Sequence, residues 1–135
     1  VQEVARRHLS NHERIHLIPP LTPDEMHNLM ARSAFVMTDS GGLQEEAPAL
    51  GRPVLVLRRE TERPEAVKAG TVRLAGTEAQ AVYEQAARLL TDPAAYAQMA
   101  QAVNPYGDGQ ACRRIVDGIL WHYGLRETPP DAFSV

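Results

Sequence analysis

Apolar residues fall in short clusters along this chain, and their spacing alternates between a helical and a strand-like period. Val1, Val4, Ala5 and Leu9 are spaced as one face of a helix over 1–9. Ser10 and Asn11 interrupt it, and His16 to Ile18 reads as a short buried strand ended by Pro19 and Pro20. Thr22 to Glu25 has the pattern of a capping box: Thr22 as N-cap, Pro23 at the first helical position, Glu25 reaching back. The helix it opens runs through Met26, Leu29 and Met30 to Ser33. Ala34 to Thr38 follows as a strand with no polar face, as in a sheet covered on both sides.

The alternation continues to the end. A helix is predicted from about Gly42 to Leu50 with Gly51 as its stop, then a strand over Val54 to Leu57. A charged loop, Arg58 to Glu65, leads to a short helix near Pro64 to Ala69. Thr71 to Leu74 reads as a strand and Glu78 to Leu90 as a long amphipathic helix. Asp92 and Pro93 start another helix to about Ala102, Asn104 to Gly109 is a turn-rich loop, and a last helix covers Gln110 to Tyr123. Short apolar strands alternating with helices predict an α/β fold: a Rossmann-like parallel sheet with helices on both faces. No internal repeat and no low-complexity segment stands out.

One junction in this pattern carries candidate chemistry. TDSGGLQEE, Thr38 to Glu46, takes an apolar strand through two glycines into a helix. In open α/β sheets, ligands sit beyond the carboxyl ends of the strands. Ser40, Gly41 and Gly42 fall there, with free helix N–H groups and the positive end of the helix dipole beside them. A phosphate suits that arrangement. Equally, Asp39 or Ser40 could be a plain N-cap, with Glu45 and Glu46 in the first turn complementing the dipole. The spacing does not choose between the two. Without a lysine after the glycines, and without GxGxxG, the loop is neither a nucleoside-triphosphatase loop nor a standard dinucleotide site.

Glu46 lies one turn beyond Gly42 on the same helix face, where a carboxylate could accept from two vicinal hydroxyls. Arg63, after the next strand, would reach the same rim and offset phosphate charge; its plain alternative is a surface ion pair with Glu62 or Glu65.

Charge and composition narrow the function classes. The 135 residues amount to one domain at most, and 14 basic against 17 acidic residues give no footprint for nucleic acid. The single cysteine, Cys112, rules out an internal disulfide and suits a reducing cytoplasm. No apolar run approaches the roughly 20 residues that span a bilayer. The opening VQEVARRHLS lacks a secretion signal's apolar core and an initiator methionine, so the expectation is a chain cut from something longer.

The stretch Thr38 to Thr77, TDSGGLQEEAPALGRPVLVLRRETERPEAVKAGTVRLAGT, followed by NPYGDGQA at Asn104 to Ala111, resembles the C-terminal part of the non-hydrolysing UDP-N-acetylglucosamine 2-epimerases. The match runs from about His16 to Ile119. The hydrolysing relatives carry a serine-rich glycine loop without the QEEAP continuation. The resemblance implies a glycosyltransferase-B-like enzyme of two Rossmann-like halves, of which this chain is part of the C-terminal half. Residues 1–124 would be the UDP-binding domain, lacking its first strand, and 125–135 a loosely held tail. It also implies interconversion of UDP-GlcNAc and UDP-ManNAc, by anti elimination of UDP to a 2-acetamidoglucal and syn re-addition. No metal or redox cofactor is implied. Partners would be the UDP-sugar, the missing N-terminal domain and, in the full-length form, a second copy.

By the same resemblance, Ser40, Gly41 and Gly42 bind the diphosphate, Glu46 the ribose hydroxyls and Arg63 the phosphate side. Leu21 to Met26 would lie against uracil, largely through backbone. The chain departs from the family at both ends of that segment, where an aromatic is common at Met26 and a polar residue at Leu21. A backbone contact at Met26 survives the change. The family's acid/base carboxylates and catalytic histidine fall outside this chain, so no catalytic residue is expected in it.

Other constellations have plainer readings. His8, His12 and His16 are spaced by four, but the break at Ser10 and Asn11 spoils a shared face, and surface histidines are the default. Glu45 and Glu46 point about 100° apart on a helix and cannot face one another as a glycosidase pair. Gln44 and Glu45 could line the cleft or the helix–sheet surface. Tyr106 may be read as a cleft residue or as part of an ordinary turn with Asp108 capping the last helix. Trp121 and Tyr123 read as core or interface anchors. Two further functions stay open: the nucleotide-binding half of a glycosyltransferase, and a non-catalytic UDP-sugar-binding or regulatory fragment.

Overall fold

The computed structural model describes residues 2–133. It holds seven helices and three strands in the order α1 (Gln2–Leu9), α2 (Pro23–Arg32), β1 (Val36–Thr38), α3 (Gly41–Ala49), β2 (Val54–Val56), α4 (Pro64–Ala69), β3 (Val72–Leu74), α5 (Ala79–Thr91), α6 (Pro93–Ala100) and α7 (Ala111–His122). The strands form one parallel sheet in the order β1-β2-β3, with Val36 opposite Val54 and Val54 opposite Val72.

Alternation along the central strand divides the core in two. Val54 and Val56 join Val72 on one face, packed against Met30 of α2, Ala47 of α3 and Ala66 of α4. Leu55 points the other way, into a cluster with Leu89 of α5 and Met99 of α6. All three residues of β2 are buried, which is why this strand shows no polar face in the sequence. The predicted parallel sheet with helices on both faces is what the structure contains.

Local signals account for the element ends. Thr22 caps α2 as a full box, its hydroxyl accepting from the Glu25 amide while Glu25 accepts from the Thr22 amide at 2.9 Å. α3 ends at Gly51, whose φ of +66° lets its N–H reach the Pro48 carbonyl while the Arg52 N–H reaches that of Ala47. Asp92 accepts from the Ala94 and Ala95 amides to open α6. Arg52 then fastens the layers together, donating to the Ala31 carbonyl and to the Tyr96 hydroxyl.

Three expectations need correction, and one falls partly outside the described residues. Residues 16–18 form no strand, because so short a run becomes one only beside a partner; Leu17 and Ile18 remain exposed instead. Val1, read as the start of the first helix, lies outside the described residues, as do 134 and 135. Glu45 and Glu46 are not in the first turn of their helix, since α3 begins at Gly41. Trp121 and Tyr123 are not core residues: α7 buries none of its side chains, and Tyr123 is 72% exposed. The tail is tied to α7 by the Leu125 N–H donating to the Leu120 carbonyl, by the Arg126–Asp117 ion pair, by Pro130 against Gly118 and by Phe133 under the Arg114 guanidinium.

Candidate functional site

Parallel strands send their carboxyl ends to one edge of the sheet, and two loops meet there. The first runs from Thr38 through Asp39 and Ser40 into α3; the second runs from Leu57 to Arg63 into α4. Ser40 is the N-cap of α3, yet among the described residues no side chain caps that helix. Its backbone N–H instead donates to the Thr38 hydroxyl at 2.9 Å. The amides at the start of α3 are therefore left facing the loop edge without a side-chain acceptor.

Glycine at position 41 keeps that edge open. A Cβ added to Gly41 would lie 2.7 Å from Glu62 Oε1 and 3.8 Å from an Arg63 guanidinium nitrogen, so both side chains of the second loop close over this one α-carbon. Gly42 stands one residue further in, with Glu46 Oε1 3.6 Å from where its Cβ would be. Ser40, Gly41, Gly42, Glu46 and Arg63 thus share one rim.

The three residues QEE hold the rim together in three directions. Gln44 is fully buried; its amide donates to the Ser40 carbonyl at 3.2 Å and accepts from the Thr61 hydroxyl at 2.7 Å. Thr61 in turn accepts from the Arg63 N–H at 3.1 Å. Glu45 takes the Arg63 Nε–H in an ion pair, and that hydrogen bond pushes the guanidinium pKa further up. Arg63 therefore pairs with neither Glu62 nor Glu65: it stands at the N-cap of α4 and its side chain turns back over α3, while Glu62 pairs with Arg58 at 2.9 Å. Glu46 meets His27 Nε2 at 3.0 Å.

His27 was missing from the sequence reading. Helical phase supplies a partial signal: Met26 and Met30 face the core, which turns residue 27 about 100° aside. Met26 sits beside it, half-buried against the core. Leu21 is not brought to the rim; it lines a separate shallow cavity with Ile18, Glu25, Leu29 and Arg32 on the outer face of α2.

A cavity of about 570 Å³ opens beside Glu46, walled by Glu45, Ala49, Tyr106, Arg114, Ile115 and Phe133. Tyr106 packs on the core, and among the described residues its buried hydroxyl has no hydrogen-bond partner. Burial first, then the Glu65 and Glu45 carboxylates, push its pKa up to about 12. Asp108 accepts from the Gln110 N–H at 3.0 Å and from both terminal nitrogens of Arg114 at 2.7 Å, which holds its pKa far below the usual carboxylate range. Among the described residues, no three His, Cys, Asp or Glu side chains gather as metal ligands would. No described helix is long and apolar enough to cross a membrane.

Comparison with known proteins shows the family. The family model for UDP-N-acetylglucosamine 2-epimerase matches residues 1–120. The chain belongs to that family. It is 57% identical over 134 residues to the UDP-N-acetylglucosamine 2-epimerase of Bacillus subtilis, covering 99% of this chain and 35% of that protein. The S. aureus MnaA–UDP co-structure superposes with a TM-score of 0.89 at 50% identity, over 98% of this chain and 36% of that one. The Neisseria meningitidis UDP-GlcNAc 2-epimerase bound to UDP-GlcNAc gives 0.84 at 47%, over 89% and 33%. The chain spans about a third of these relatives and carries part of a glycosyltransferase-B-like fold.

Proposed function

We propose that this chain is the UDP-gripping portion of an epimerase that interconverts UDP-GlcNAc and UDP-ManNAc. The observation that carries the reading is the uncapped start of α3 with Glu46 one turn along and Arg63 folded over its first glycine. Ser40, Gly41 and Gly42 would hold the diphosphate, Glu46 the ribose hydroxyls, and Arg63 the phosphate side. Uracil would rest on the backbone beside Met26, with Leu21 contributing no side-chain contact. UDP bound to the S. aureus relative and UDP-GlcNAc bound to the Neisseria one support the ligand class.

In this reading the rim does one half of the chemistry. UDP leaves by anti elimination and returns by syn addition, and charge builds on the diphosphate as the bond to the sugar breaks. Helix N–H groups and a guanidinium aimed at that charge stabilise it. Proton transfer at C2 falls to groups outside this chain, in the N-terminal domain, and the intact enzyme works in the cytoplasm as a homodimer. The segment 1–124 is the UDP-binding unit and 125–135 its tail. Family membership favours this reading over a glycosyltransferase half.

Calorimetric titration with UDP tests it, with GDP and free GlcNAc as controls. UDP binds, the controls do not, and Glu46→Ala weakens UDP by about tenfold, or ~1.4 kcal/mol. A folded chain that binds GDP and UDP alike, or whose Glu46→Ala variant binds UDP unchanged, would refute the assignment.

A further inference from the structure

QEE presents three adjacent side chains from one helix, and each goes somewhere different. Gln44 turns inward and ties Ser40 to Thr61, and Glu46 turns to His27. Glu45 turns to Arg63. We propose that Glu45 is a positioning residue: by accepting the Arg63 Nε–H it sets the guanidinium so that a terminal nitrogen stands over Gly41, where the diphosphate rests. This inference rests on the UDP reading given above.

The geometry favours orientation over stability as the role of the pair. The side chains of Arg63 and Glu45 are 31% and 39% exposed. An ion pair that open to water contributes at most about 1 kcal/mol to folding. A guanidinium, however, is planar, with its N–H groups in a fixed fork. Fixing Nε therefore fixes the plane in which the terminal nitrogens lie, and one of these stands 3.8 Å from the Gly41 Cβ position.

The backbone of Arg63 is held as well. Its N–H donates to Thr61, Thr61 is bonded to buried Gln44, and Pro64 follows at the first position of α4. Glu45 thus fixes the far end of a side chain whose backbone is already held.

A competing carboxylate shows what Glu45 prevents. Glu62 Oε1 reaches the same point over Gly41, closer than the arginine does. Without Glu45, Arg63 can turn to Glu62, and its charge is then spent on a neighbour in place of the ligand. Arg58 holds the other oxygen of Glu62.

The test is a double-mutant cycle on the 135-residue chain, read with two ligands and one spectrum. Glu45→Ala weakens UDP by about tenfold and leaves uridine, which has no phosphate, within about twofold. Glu45→Gln keeps an acceptor oxygen and recovers most of the loss. In an Arg63→Ala background, the Glu45 change moves UDP affinity by less than about twofold. The Arg63 Nε–H resonance is protected from exchange in the parent chain and lost in Glu45→Ala, whether or not ligand is present. Equal losses for uridine, or an undiminished Glu45 effect without Arg63, would overturn the proposal. If the parent chain binds UDP but the Nε–H signal is unchanged in Glu45→Ala, the positioning role alone is wrong. If the parent chain binds no UDP, the nucleotide reading fails and takes this role with it.

Discussion

At the scale of single residues, Gly41 is the position where the rim tolerates least. Its absent Cβ leaves room that Glu62 Oε1 already enters, at 2.7 Å from where that carbon would be. The intruding atom is the end of a flexible side chain, so an alanine there displaces it without disturbing the backbone, and alanine is the better helix former. Gly41→Ala is therefore expected to leave the melting temperature unchanged or slightly raised, while its methyl keeps a phosphate from the helix N–H groups and weakens UDP by about tenfold. Thermal melts beside UDP titrations check both parts, and unchanged UDP affinity would sink the idea that the anion approaches at this carbon. The structure brings the glycines, Glu46 and Arg63 to one rim, a meeting their spacing allowed; the spacing left an anion cradle and a plain helix cap equally open, and only the family resemblance chose between them. The partners of Arg63 and Glu46 were not legible. Each lies 18 or 19 residues away in the chain, on another element. Only the packing of α2 and of the Leu57 to Arg63 loop against α3 brings them together.

At the scale of elements, the reliable signals were those that act within a few residues. The capping box at Thr22, the glycine stop at Gly51 and the Asp92 cap all stand where local hydrogen bonding demands them. The strand expected at 16–18 failed because a strand depends on a distant partner that local pattern cannot supply. Asp108 shows a local cap joined to a longer reach: it accepts from Gln110 just before α7 and from Arg114 within it. The Arg114 guanidinium, then the Gln110 amide, hold its pKa well below the usual carboxylate range, so the sign is that of a depressed carboxylate. Its contribution is fully present above pH 4 and is lost as pH falls through the folded pKa. Asp108→Asn should therefore lower stability at pH 6 and flatten its decline under acid. Urea melts of both forms at pH 6 and pH 2 decide it: parallel losses in the two would show that Asp108 does not carry the acid sensitivity of this end.

At the scale of the whole molecule, the chain is a well-ordered sheet with two incompletely covered ends. Val4 of α1 and Ile115, Val116 and Ile119 of α7 are each more than half exposed, while the central strand β2 is buried throughout. Function divides the same way. Exchanging the C2 proton of a sugar needs a base on one face of the ring and an acid on the other. Three carboxylates at the rim are engaged by neighbours, Glu45 by Arg63, Glu46 by His27 and Glu62 by Arg58, while Asp39 and Glu60 of the same two loops stand exposed. In the proposed function the rim holds the departing diphosphate, and the proton is moved by groups outside this chain. The purified chain is accordingly expected to bind UDP yet leave UDP-GlcNAc unchanged in D2O, with no deuterium entering at C2 and no UDP-ManNAc forming above a blank. Proton NMR of the sugar follows both. Deuterium at C2 would mean that one of these five carboxylates acts as the base. Single Asp39→Asn, Glu45→Gln, Glu46→Gln, Glu60→Gln and Glu62→Gln variants would then identify it, since only the loss of the acting base stops the exchange while UDP still binds.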